Sequence, residues 1–193
     1  HGWKFVIQLR KKLTPIPSCY KMVKMEQKEA IAYLKFPQKY DEKRLLDELS
    51  TVFEDKWKTH FNTQNYSGEW NTLSLYAPNG DPENIFINPV NDALPEETPL
   101  LKECHYLKEI IDSFQFPILS ARLLRLRAGA YIHPHSDHKL SYEDNEFRLH
   151  IPIITNDQVK FILNGTRLNM LPGELWYTNV NYTHSVANES DED

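Results

Sequence analysis

From Ile118 to Asn188 the chain is built of short alternating segments cut by turn signals about every ten residues, and few architectures accept that pattern. Ile118 to Arg127 alternates, with Leu124 and Leu126 opposite Arg125 and Arg127, and Gly129 ends the run. Phe147 to Ile154 reads as a strand. Val159, Phe161 and Leu163 alternate up to Asn164-Gly165, a dipeptide that tolerates positive φ at both positions and so favours a type I′ hairpin turn. Arg167 to Met170 returns, Pro172-Gly173 turns again, and Glu174–Tyr177 and Thr183–Asn188 follow. Such a series of short strands predicts a β-sandwich or barrel.

The residues before Pro117 have a different period. Ala30 to Phe36 reads as a strand ended by Pro37, and Trp70 to Tyr76 as another. Asp41 is an N-cap candidate for a helix carrying Leu45, Leu46, Leu49, Val52 and Phe53, and Leu100 to Phe114 has the spacing of a second amphipathic helix. Residues 77–99, with five prolines and Asn79-Gly80, read as a long irregular connection of the kind that serves as a lid.

Composition narrows the function. The 193 residues suit one domain, and 40% hydrophobic with 12% aromatic content excludes disorder for most of the chain. Two cysteines, Cys19 and Cys104, are too few for a disulfide scaffold and suit a reducing compartment, so a cytoplasmic location is expected. A net charge of −5 argues against nucleic acid, and no apolar run approaches a membrane span. The basic residues Lys4, Arg10, Lys11, Lys12, Lys21 and Lys24 set 1–24 apart, as a leader or a stray terminal strand from Trp3 to Leu9. Residues 25–193 then form a single domain, with a helical part over 25–117 and a β core over 118–193.

Five of the eight histidines fall in the β-rich segment: His133, His135, His138, His150 and His184. His135-x-Asp137 puts an imidazole and a carboxylate on one side of an extended chain, able to grip one ion. His184 from a later strand would complete two histidines and one carboxylate, the open facial set of non-haem Fe(II) oxygenases. An alternative pairs His133 with His135 and His184 around zinc or manganese. Arg148 and His150 share a strand face opposite Leu149 and Ile151, and a guanidinium suits a carboxylate ligand. Trp176 and Tyr177 read as core, Trp57 and Trp70 as core or rim.

The stretches Tyr131-Ile-His-Pro-His-Ser-Asp137, Phe147-Arg-Leu-His-Ile-Pro152, Leu171-Pro-Gly-Glu174 and His184-Ser-Val-Ala-Asn188 resemble the aspartyl/asparaginyl β-hydroxylase family of 2-oxoglutarate oxygenases, particularly its bacterial proline-hydroxylase branch. The resemblance implies a mainly β fold with flanking helices, a double-stranded β-helix (jelly roll, cupin-like). It implies Fe(II) held by His135, Asp137 and His184 as the catalytic centre, with O2 and 2-oxoglutarate consumed and Arg148 and His150 at the cosubstrate carboxylate nearest the metal. The substrate expected is a small molecule, a free amino acid or a derivative of one. Alternatives are a hydroxylase of Asp or Asn side chains in a protein, and a non-catalytic metal-binding sensor. The family's last strand, with its arginine for the far 2-oxoglutarate carboxylate, would follow Asp193. Arg10, Arg125 and Arg127 are the substitutes that the sequence offers.

Overall fold

The structure is a computed structural model that describes residues 30–52, 54–86 and 93–191 and the backbone of 4–12. Its strands in chain order are β1 (Lys4–Lys12), β2 (Tyr33–Lys39), β3 (Lys58–Thr59), β4 (Tyr66–Ser67), β5 (Trp70–Pro78), β6 (Pro95–Glu97), β7 (Ile118–Leu126), β8 (Tyr131–His135), β9 (Glu146–Ile154), β10 (Val159–Leu163), β11 (Thr166–Leu168), β12 (Glu174–Thr178) and β13 (His184–Asn188). The helices are α1 (Glu42–Leu49), α2 (Pro99–Glu103) and α3 (His105–Asp112). The protein is thus mainly β, with two antiparallel sheets. The larger runs β2-β12-β9-β1-β7-β5-β3, with β6 on β5, and the smaller runs β11-β10-β13-β8-β4.

Alternation divides the large sheet into two faces. Leu73, Leu75, Leu123, Leu149, Ile151, Ile153 and Leu175 point to one side and pack on Leu45, Leu101, Leu107 and Ile110 of the helices. The opposite face looks toward the small sheet. There Leu163, Leu168, Met170 and Trp176 form one apolar cluster, and Leu126, Ala130 and Ile132 with Tyr66 and Trp70 form another. Between the two clusters lies a cavity that bears Arg122 of β7 and Arg148 and His150 of β9.

Most of the expected elements are present, with three differences. β2 runs through Pro37 to Lys39 instead of stopping there, because β2 is the sheet's edge and a proline on an edge forfeits no ladder bond. The helix expected over 100–114 is two helices broken at Cys104 (φ −94°, ψ 84°), with Thr98 accepting from the Leu101 N–H at the start of α2. Part of the 77–99 connection is ordered as β6, which pairs with β5. Within the 77–99 segment read as a lid, residues 87–92 lie outside the described residues.

Lys4–Lys12 lies within the large sheet and not beside it. β1 pairs antiparallel with both β7 and β9, so the basic leader contributes a central strand and neither neighbour has a free edge. The Leu171-Pro-Gly-Glu174 turn is pinned by Glu174, which accepts from the Leu171 N–H (2.9 Å) and Trp176 Nε1 (2.9 Å) and pairs with Lys35. Gly173 has φ +74°, and a Cβ there would come 2.4 Å from the Tyr40 carbonyl oxygen. No helix among the described residues is long and apolar enough to cross a membrane.

Candidate active site

β8 and β13 pair so that His135 lies opposite His184. A register shift between His184 and Val186 lets both Ile132 and His135 on β8 reach the interior, although strict alternation would separate them. Asp137 lies two residues past the end of β8, where its backbone N–H donates to the Val180 carbonyl (2.9 Å). The three residues converge: one ligand atom from each of His135, Asp137 and His184 lies within 4.8 Å of the others, and the two imidazole centroids are 4.3 Å apart.

Hydrogen bonds settle which face of each ring is offered. His135 Nδ1 is 2.7 Å from the His133 carbonyl and His184 Nδ1 is 3.1 Å from the Tyr182 carbonyl. A carbonyl only accepts, so in the neutral form of each ring Nδ1 carries the proton and Nε2 presents its lone pair. Asp137 is similarly divided. Its Oδ2 accepts from Arg148 Nη1 (2.7 Å), while Oδ1 lies 3.9 Å from His135 Nε2. Two imidazole nitrogens and one carboxylate oxygen, each held by an outer partner, are a donor set suited to a divalent transition metal.

The electrostatics favour the metal-ready protonation state. Burial, followed by the nearby His135, pushes His184 down to about 4. Burial pushes the Asp137 carboxyl up, but Arg148, His184 and His135 outweigh it and hold it below its ordinary value. At neutral pH His184 is therefore neutral and Asp137 ionised, and neither need lose a proton before a cation binds.

His150 lies on the same face of β9 as Arg148, buried, with its ring edge-on to Phe161. Burial first, then the charge of Arg148, pushes it down to about 3. Its Nε2 has no hydrogen-bond partner among the described residues. A buried polar atom of this kind lining a cavity is a candidate contact for a ligand.

The remaining sequence candidates go elsewhere. His133 packs against Tyr131 and is outside the converging group, so the His133, His135 and His184 alternative lacks its geometry. Arg125 points away from the cavity, over the Trp57 ring and 2.7 Å from Glu54, and Arg127 pairs with Glu69. Neither replaces the far-carboxylate arginine. Arg10 lies opposite Arg148 in register, and its side chain is outside the described residues. Trp176 and Tyr177 are core, as expected, and Trp70 lines the cavity.

Two cavity residues escaped the sequence reading. Arg122 has the parity of Leu124 and Leu126, which was a usable signal for the inner face. His60 follows a two-residue strand and carries no periodic signal. It is stacked on Trp70 (centroids 3.5 Å, 12°), and burial, then the charges of Arg122 and Arg148, push it down to about 3.

Known proteins resemble this chain along most of its length. It is 29% identical over 152 residues to an L-proline cis-4-hydroxylase of Rhizobium meliloti (strain 1021), covering 77% of this chain and 53% of that protein. It is 27% identical over 128 residues to L-proline cis-3-hydroxylase 2 of a Streptomyces species, covering 65% and 44%. The chain thus spans about half the length of these curated relatives. The family model for aspartyl/asparaginyl beta-hydroxylase matches residues 39–193, which contain the whole His-Asp-His group and its partners, and the chain belongs to that family.

Proposed function

We propose that this protein is an Fe(II)/2-oxoglutarate-dependent dioxygenase that hydroxylates a C–H bond of a free amino acid or a small derivative. The observation that carries the reading is the convergence of His135, Asp137 and His184 at a cavity, with both Nε2 lone pairs made available by Nδ1–carbonyl bonds. The two-sheet order, with metal-ligating residues at facing strand ends, supports a double-stranded β-helix. The hydroxylase relatives act, by their names, on L-proline, which supports a small amino-acid substrate here.

Each residue has a definable task. His135, Asp137 and His184 would hold the metal on one face and leave the opposite face to ligands. Iron bound there would supply O2 chemistry, with 2-oxoglutarate as the electron donor, so that substrate, 2-oxoglutarate and O2 give hydroxylated product, succinate and CO2. Arg148 holds Asp137 Oδ2 and so leaves Oδ1 toward His135, and a guanidinium lining the cavity beside the metal group is suited to a cosubstrate carboxylate. His150, kept neutral, offers a hydrogen bond there through its unpartnered Nε2. The apolar walls above and below exclude water from the reacting centre.

The test is succinate release from 2-oxoglutarate with Fe(II) and O2, with each amino acid added in turn. Release that requires metal, O2 and one amino acid, and is absent in His135→Ala, supports the reading. Full activity in His135→Ala and Asp137→Ala would sink the ligand assignment. Tight metal binding without 2-oxoglutarate turnover would favour a non-catalytic binding domain.

A further inference from the structure

We propose that Asn181 is a positioning residue for the metal group: with Asp144 it clasps the 136–145 loop onto the 179–183 turn and so sets the place of Asp137 relative to His184. The inference rests on the metal-ligand assignment above and deepens it.

Two of the three ligands depend on that one turn. The Asp137 N–H donates to the Val180 carbonyl (2.9 Å), and His184 Nδ1 lies 3.1 Å from the Tyr182 carbonyl. The turn is itself tied down. The Tyr182 N–H donates to the Asn179 carbonyl (3.2 Å), the Asn181 N–H to Asn179 Oδ1 (3.2 Å), and the Asn179 N–H to the Ala32 carbonyl (2.8 Å). His184 opens β13 directly after this turn, so its backbone starts from a fixed point. Asp137 has no strand of its own, because it lies past the end of β8 in the loop that runs to β9.

That loop is held against a local preference. Lys139 has φ +59°, a region that a residue with a side chain adopts at a cost and keeps only where its surroundings impose it. On the next residue, the Leu140 N–H donates to Asn181 Oδ1 (3.0 Å). Asn181 Nδ2 donates in turn to Asp144 Oδ2 (2.7 Å), and the same oxygen accepts from the Ser141 N–H (3.2 Å) and hydroxyl (2.8 Å). One side chain from the turn thus ties both the middle and the far end of the loop that carries Asp137.

Asparagine suits the task. The Leu140 N–H can only donate. Hydrogen bonds from Ser141 and then Asn181 hold the Asp144 carboxyl below its ordinary value, so at neutral pH it can only accept. The residue between them needs an acceptor and a donor on one planar group, which a side-chain amide supplies. A clasped loop presents Asp137 in place before a cation arrives. A loose loop must be ordered by the cation, and that cost is subtracted from the affinity.

The experiment uses Co(II) as the probe, with calorimetry on the full chain. Asn181→Ala should raise the Kd about tenfold, the low end of the loss expected when the outer partners of metal ligands are removed. Asp144→Ala should raise it similarly, and the double variant should lose less than about threefold more than either single one, as two halves of one clasp do. In the metal-free protein, amide hydrogen exchange at Asp137 and Leu140 should be about tenfold faster in Asn181→Ala, while the β9 amides keep their wild-type rates. That contrast separates a loosened loop from a general loss of stability. A Kd within about twofold of wild type in a folded Asn181→Ala overturns the positioning role. So does exchange that rises as much along β9 as at Asp137. If Asn181→Ala does not fold, Asp144→Ala, which cuts the clasp from its exposed side, is judged by the same two limits. Co(II) binding that is lost in His135→Ala yet unaltered in the clasp variants overturns the clasp alone. A wild-type protein that binds no Co(II), or a His135→Ala variant that binds it equally well, overturns the ligand assignment and the clasp with it.

Discussion

Asp137→Ala should destabilise the metal-free protein more than His135→Ala does. Asp137 Oδ2 accepts from Arg148 Nη1 at 2.7 Å, with the Arg148 side chain 7% exposed and that of Asp137 30%. Charge-assisted hydrogen bonds contribute about 1.5–3 kcal/mol. Solvent reaches nearly a third of Asp137, so the pair merits a discounted value of about 1–2 kcal/mol. Removing the carboxylate also withdraws an acceptor from a buried guanidinium, so Asp137→Ala should cost about 2 kcal/mol, against about 1 kcal/mol or less for half-buried His135. Arg148→Met should then cost less in the Asp137→Ala background than in the wild type, giving a coupling of about 1–2 kcal/mol across the four proteins. The assay is urea unfolding with a metal chelator at pH 7.5, with m-values compared to confirm a common unfolding reaction. Coupling below about 0.5 kcal/mol would refute the pairing and return Arg148 to a cosubstrate role alone.

Three further outcomes are expected. His184→Ala should abolish Fe(II) binding in anaerobic calorimetry while the melting transition stays cooperative, since His184 belongs to the converging ligand group and sits outside the main apolar core. Metal-free stability should fall as pH drops. His60 and His150 are each pushed down to about 3 in the folded chain, so below the ordinary histidine value of about 6.5 the unfolded chain binds protons that the folded chain does not. Each contributes up to about 1.4 kcal/mol per pH unit of loss between about 6.5 and 3, and His150→Phe should flatten that slope in chelator-treated melts. Gly173→Ala should cost about 3 kcal/mol or more in a thermal melt, because φ is +74° and the new Cβ meets the Tyr40 carbonyl at 2.4 Å; a cost under about 1 kcal/mol would show that the turn relaxes.

The local features were legible because their causes are local. The Asn164-Gly165 turn has φ of +48° and +74°, as a type I′ hairpin requires, and the alternation of β7, β9 and β10 follows from a two-residue period. The same period put Arg148 and His150 on one face and Arg125 and Arg127 on the other. It also held the parity that assigns Arg122 to the cavity, a signal overshadowed by the neighbouring arginines.

Other features depended on contacts between distant segments. Cys104 breaks a helix that periodicity would continue, and Pro37 sits within a strand that propensity would end, since only the sheet order reveals an edge. The central position of β1 requires β7 and β9, each more than a hundred residues away. His60 enters the cavity because the 60–66 segment joins the outer strand of one sheet to that of the other, and nothing within a few residues of it encodes that path. The ligand types and spacing of His135, Asp137 and His184 were written in the chain. Which imidazole nitrogen is offered, which Asp137 oxygen Arg148 takes, and which basic group stands across the cavity were decided by tertiary hydrogen bonds and strand register. Those couple residues far apart in sequence, and no local period reports them.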